Sequence, residues 1–85
     1  MHREYGYKGF HIEVDTEPIG RLSNEKVVFM AAGYVAVVRI STDASPATIH
    51  SLRFGRDDGS PFPTEAETLM SGYSAAQRLI DGWQT

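Results

Sequence analysis

Three histidines and eleven carboxylates are the residues of this chain whose types could carry chemistry. There is no cysteine to serve as nucleophile, thiolate ligand or redox switch. His2, His11 and His50 fit neither the H-x-x-x-H nor the H-E-x-x-H spacing that sets two ligands on one helical face. A zinc site would need further convergent ligands, so these histidines read as rim or solvent residues and no metal site is assigned. Asp57-Asp58-Gly59-Ser60 lacks the alternate acids and the closing Glu of a calcium loop and reads as a polar turn. The serines occur without G-x-S-x-G, and no glycine pattern makes a phosphate cradle or a dinucleotide fingerprint.

One grouping remains. Alternation puts His11, Glu13 and Asp15 on one strand face, and Arg39 and Arg53 on the same face of neighbouring strands. An enzyme would use them as a His11–Asp15 pair in a pocket shared with Arg39. A cross-strand charge network explains the same grouping more simply. The expectation is a protein with no catalytic residues and no cofactor.

Nucleic acid is the next class to weigh. The eight basic residues are dispersed, the net charge is -3 and the isoelectric point is near 5.5, which argues against a protein built to hold phosphates. The expected open sheet face also carries Val35, Val37 and Ile49 where a base-stacking platform would want Phe or Tyr.

The elements that must position these residues follow from periodicity. A chain of 85 residues, 41% hydrophobic, allows a single domain over 1–85 with a thin core. Residues 8–15 alternate, with Phe10, Ile12 and Val14 against His11, Glu13 and Asp15, which predicts a strand. Residues 16–25, broken by Pro18 and Gly20, read as a loop. Val27 to Ser41 is apolar on both faces. Gly33 offers a bulge or bend within it, and the secure strand is 34–41.

Thr42-Asp43-Ala44-Ser45-Pro46 is turn chemistry, and 48–54 forms a third strand. Pairing Ile40 with His50, Val38 with Leu52 and Ala36 with Phe54 keeps the apolar set on one face. Thr64-Glu65-Ala66-Glu67 has the form of a capping box. After it, Ala66, Leu69, Met70, Tyr73, Ala76, Ile80 and Trp83 line one side of a helix over 65–82, with Gly82 as its stop. The fold class is α+β: three antiparallel strands, four if 27–31 separates, with one C-terminal amphipathic helix on one face (β-β-β-α).

One helix covers one face of a sheet, so apolar residues pointing the other way form surplus surface. Val35, Val37, Arg39, Ile49 and Arg53 are the expected interaction surface, an apolar patch ringed by charge. The expected partner is a protein, most simply a second copy forming a homodimer. The longest apolar stretch, Val27 to Val38, is twelve residues where a spanning helix needs ~20, so no membrane association is expected. The N-terminus has no apolar core of a secretory signal, and a cytoplasmic location is expected.

The stretch Ala32-Gly33-Tyr34-Val35-Ala36-Val37-Val38, followed downstream by Pro63-Thr64-Glu65-Ala66-Glu67 and Ala75-Ala76-Gln77-Arg78-Leu79-Ile80, resembles the small bacterial HicB-like antitoxin fold. The opening Tyr7-Lys8-Gly9-Phe10-His11-Ile12 and the terminal Ala76 to Asp81 are similar to short uncharacterised bacterial domains. The resemblance implies a β-β-β-α domain. It also implies an antitoxin-like or nucleic-acid-binding regulatory role as the alternative to a protein-interaction module, and it carries over no functional residue.

Overall fold

A computed structural model describes residues 1–21, 30–42, 44 and 48–83. The chain runs β1 (His2–Tyr7), β2 (Phe10–Arg21), β3 (Met30–Thr42), β4 (His50–Phe54) and α1 (Glu65–Trp83). The strands form one antiparallel sheet in the order β1-β2-β3-β4, with α1 on one face. The architecture is α+β, as the alternation and the capping box predict.

The fourth strand is not the one expected from 27–31. Of that segment, 27–29 lie outside the described residues, and Met30 and Ala31 open β3. The additional strand is N-terminal, and Lys8-Gly9 is the reason. With φ of 50° at Lys8 and 83° at Gly9, these two residues make the mirror-image turn whose twist matches a right-handed hairpin. Tyr7 therefore pairs with Phe10, Tyr5 with Ile12 and Arg3 with Val14. An alanine at position 9 would have to adopt the left-handed conformation. Gly9→Ala is expected to cost about 1–2 kcal/mol in chemical denaturation, although beyond its chain neighbours no described residue comes within 4 Å of the new Cβ.

Of the loop expected over 16–25, residues 16–21 instead continue β2, and 22–25 lie outside the described residues. Pro18 is tolerated there for a geometric reason. The Thr16 amide donates to Met1 O at 2.9 Å, so the even-numbered amides of β2 face β1. Pro18 has its nitrogen on that same side, away from β3, so the missing N–H takes nothing from the β2–β3 ladder.

β3 pairs with β4 in the register expected from burial, Ile40 with His50, Val38 with Leu52 and Ala36 with Phe54. Gly33 is the irregularity foreseen in this strand. Ile19 pairs with Gly33 but Gly20 with Ala31, leaving Ala32 as the extra residue of a bulge. The turn expected over 42–46 falls largely outside the described residues. After β4 the chain loops out and returns at Phe62, which exchanges two 2.8 Å backbone hydrogen bonds with Tyr34 and resumes the β4 side of the ladder.

The core lies between sheet and helix: Ile12, Val14, Ala36, Val38 and Ile40 below, Leu69, Ala76 and Ile80 above, with Phe62 closing one end. Burying each of the larger side chains contributes about 1.5–3 kcal/mol. The Thr64 hydroxyl accepts the Glu67 amide at 3.1 Å, so the N-cap forms as predicted. The buried stripe of α1 is turned toward Gly72 and Thr68 and away from Met70, which is 71% exposed. Gly72 decides this rotation, because its missing side chain lets the helix settle on Val14 and Val38. Thr68 is fully buried, and its hydroxyl donates to Thr64 O at 2.7 Å. No helix among the described residues is long and apolar enough to cross a membrane.

Candidate functional site

The sheet face opposite α1 gathers the residues that alternation assigned to it. Register places Glu4, Glu13, Arg39 and Ser51 in one row across the four strands, and His2, Asp15, Val37 and Arg53 in the next. Arg39 donates to Asp15 at 2.9 Å and lies 3.5 Å from Glu13. His2 Nδ1 is 2.7 Å from the other Asp15 oxygen, and His11 Nε2 is 3.0 Å from Glu4. Arg53 reaches from β4 across β3 to Glu17 on β2 and donates twice, at 2.7 and 3.2 Å. That bond holds the Glu17 carboxyl below its ordinary range and raises the Arg53 guanidinium.

These contacts bear on the expected interaction surface. Arg39 and Arg53 are exposed but each is engaged by an acid of the same chain. Val35 and Val37 lie on the β3 stretch that the Arg53–Glu17 pair crosses and are half-buried. Ile49, half exposed, sits just ahead of β4 with its amide donating to Ile40 O at 2.8 Å. His11 and Asp15 do not meet each other. His11 turns to Glu4, and Asp15 is shared by His2 and Arg39.

One cluster escaped the sequence reading. Ligand atoms of His2, Glu4 and Glu13 lie within 4.8 Å of one another. The signal was the His2-x-Glu4 spacing, which puts both side chains on one face once 2–7 is a strand. All three are exposed or half-exposed. His2 already meets Asp15, Glu4 meets His11, and Glu13 meets Arg39.

A second anchor ties the hairpin to the helix. Asp81 accepts Lys8 Nζ at 2.7 Å and the Tyr7 hydroxyl at 2.9 and 3.1 Å. The Lys8 contact first, then that of Tyr7, holds the Asp81 carboxyl below its usual range, and Tyr7 is raised in return. A depressed carboxyl contributes stability above its unfolded value near 4, and that stability is lost as pH falls through the lower folded value. Asp81→Asn is therefore expected to lower the melting temperature at neutral pH and to flatten its fall below about pH 4. Thermal melts of both chains between neutral and strongly acidic pH check this.

The other candidate surface lies on the helix side. α1 packs on β2 and β3 and reaches β1, where Tyr73 stacks on Tyr5 with ring centroids 4.2 Å apart. It makes no comparable approach to β4. The inner face of β4 therefore opens into two adjoining grooves of about 540 and 490 Å³ along the helix. Leu52 and Phe54 are their floor, Leu79 and Met70 their helix wall, and Asp57 and Arg78 line both. Sequence periodicity places Leu52, Phe54 and Met70 on the buried side and leaves Leu79 out of the helix's apolar arc. It could not foresee that the helix would sit off-centre.

Comparison with protein-family models, with curated proteins and with solved structures finds no match for this chain.

Proposed function

We propose that the protein is a non-enzymatic protein-interaction module that self-associates. The observation that carries this reading is the uncovered inner face of β4, where Leu52 and Phe54 stay half-buried because α1 lies over the other three strands. An apolar groove rimmed by an acid and a base, beside a strand at the sheet edge, has the composition of a protein interface. Of the surface expected from the sequence, Ile49 and Arg53 border this edge.

The HicB-like resemblance belongs to the same proposal, since a β-sheet with one C-terminal helix accommodates it. An antitoxin-like role that works through nucleic acid has less support. The two arginines that would contact phosphates, Arg39 and Arg53, are spent on Asp15, Glu13 and Glu17.

Sedimentation velocity across a concentration series tests the reading. The expected result is a mass that rises from one chain to two, and a shift of that transition to higher concentration in Leu79→Lys. A strict monomer at high micromolar concentration overturns it.

A further inference from the structure

We propose that two copies of this chain join through their β4 edges into one continuous antiparallel sheet, paired about Leu52. The inference rests on the reading of the protein as a self-associating module, and it names the surface, the symmetry and the register.

The two edges of the sheet are not equivalent. β1 is defended. Arg3 pairs with Val14 and so points a charge toward the helix side, and Tyr5 and Tyr7 are tied to Tyr73 and Asp81. The exposed Arg3 guanidinium donates to the His2 carbonyl at 3.3 Å, and a charged side chain laid along an edge is a common block to pairing with another chain. β4 has no lysine, proline or bulge. Its one charge, Arg53, is held across the open face by Glu17, and α1 does not cover it.

Hydrogen-bond direction selects the register. Tyr34 exchanges both its backbone bonds with Phe62, and Ile40 O accepts from Ile49, so the even-numbered groups of β3 face β4. Their partners His50, Leu52 and Phe54 face back. The amides and carbonyls of Ser51 and Arg53 therefore point outward from the sheet. A twofold axis at Leu52 brings Ser51 of one copy opposite Arg53 of the other, where each pair exchanges two backbone hydrogen bonds.

The side chains agree with that register. Leu52 meets Leu52 on the helix side as a close, non-hydrogen-bonded pair, and His50 faces Phe54. No like charges are opposed. The groove beside this edge carries both Asp57 and Arg78, so a twofold contact can set the acid of one copy toward the base of the other. The two grooves then merge over a shared floor, with the helices on either side.

Ser51→Pro is the test. It removes an outward amide for which no partner is found among the described residues, and the preceding His50 is already extended, as a residue before proline prefers. Sedimentation and amide hydrogen exchange are read on both chains, with circular dichroism as the check on folding. The unmodified chain is expected to dimerise with slow exchange at the Ser51 and Arg53 amides. Ser51→Pro is expected to keep the native spectrum and to dimerise about tenfold more weakly or worse.

Dimerisation with fast exchange at both amides, unaffected by Ser51→Pro, overturns the β4 interface and leaves self-association standing. A monomer at every concentration overturns both. Should Ser51→Pro fail to fold, the exchange rates of the unmodified chain decide alone.

Discussion

Gly72→Ala is expected to destabilise the fold by about 1–2 kcal/mol, against the gain that alanine normally brings inside a helix. Two effects compete. Replacing a mid-helix glycine with alanine is worth up to about 1 kcal/mol through backbone entropy. The added Cβ would stand 2.6 Å from Val14 Cγ1 and 3.3 Å from Val38 Cγ2. Val14 is fully buried and branched at Cβ, so it has no free rotamer to swing into. The helix must lift or the strand must shift, and overpacking of this kind costs about 1–3 kcal/mol or more.

Gly72→Val, which adds two further methyls to the same contact, is expected to cost about 3 kcal/mol or more. For a domain of this size each kcal/mol lowers the melting temperature by roughly 4–8 °C, so thermal melts resolve the series. A cycle with Val14→Ala identifies the cause. The double variant should be more stable than the two single losses add up to, because removing the valine methyls frees the space. Additive losses would mean that the close contact is not what Gly72 provides.

Gly33→Ala is the second large loss, about 2–4 kcal/mol, and it should act differently. Gly33 has φ of 152°, and a Cβ there would lie 2.7 Å from Phe62 O and 2.8 Å from the Pro61 ring. Neither neighbour can yield cheaply: one is backbone and the other a closed ring. The substitution pushes away the segment whose two hydrogen bonds to Tyr34 complete the sheet, and with it Phe62, only 5% exposed. Phe62 packs edge-on against Phe54, so the disturbance reaches the floor of the groove. Amide exchange at Tyr34 and Phe62 should accelerate well beyond that of Ile12 or Ile80. Uniform acceleration across the chain would refute a local role for this glycine.

Both glycines show where the sequence was legible and where it was not. A bulge near Gly33 could be anticipated, because a glycine interrupting a strand of β-branched residues has few other uses. Gly72 could not. In the helical pattern it is one small residue among several, and only contact with Val14 makes it the axis of the packing. The same limit explains Met70. The apolar arc of the helix is broad, and burial went to the side with the smallest residue, leaving Met70 in solvent.

The N-terminal strand was hidden for another reason. Tyr5, Tyr7, Phe10 and Ile12 alternate across Lys8-Gly9, but a lysine at positive φ is an uncommon first residue for such a turn. The pair did not announce itself as Asn-Gly would. Loss of a strand signal at Pro18 points in the opposite direction, since its nitrogen faces away from β3 and the proline spares that ladder.

By itself the sequence determined the class of fold, the register of β3 against β4, the helix with its Thr64 cap, and the face on which the charges gather. Each follows from short-range periodicity, and a slip of one residue would turn every buried side chain outward. Tertiary structure alone decided which charges pair, how close the helix lies, and which strand it leaves uncovered. These depend on contacts between residues far apart in the chain, where the size of one side chain, or its absence at Gly72, sets the position of a whole element.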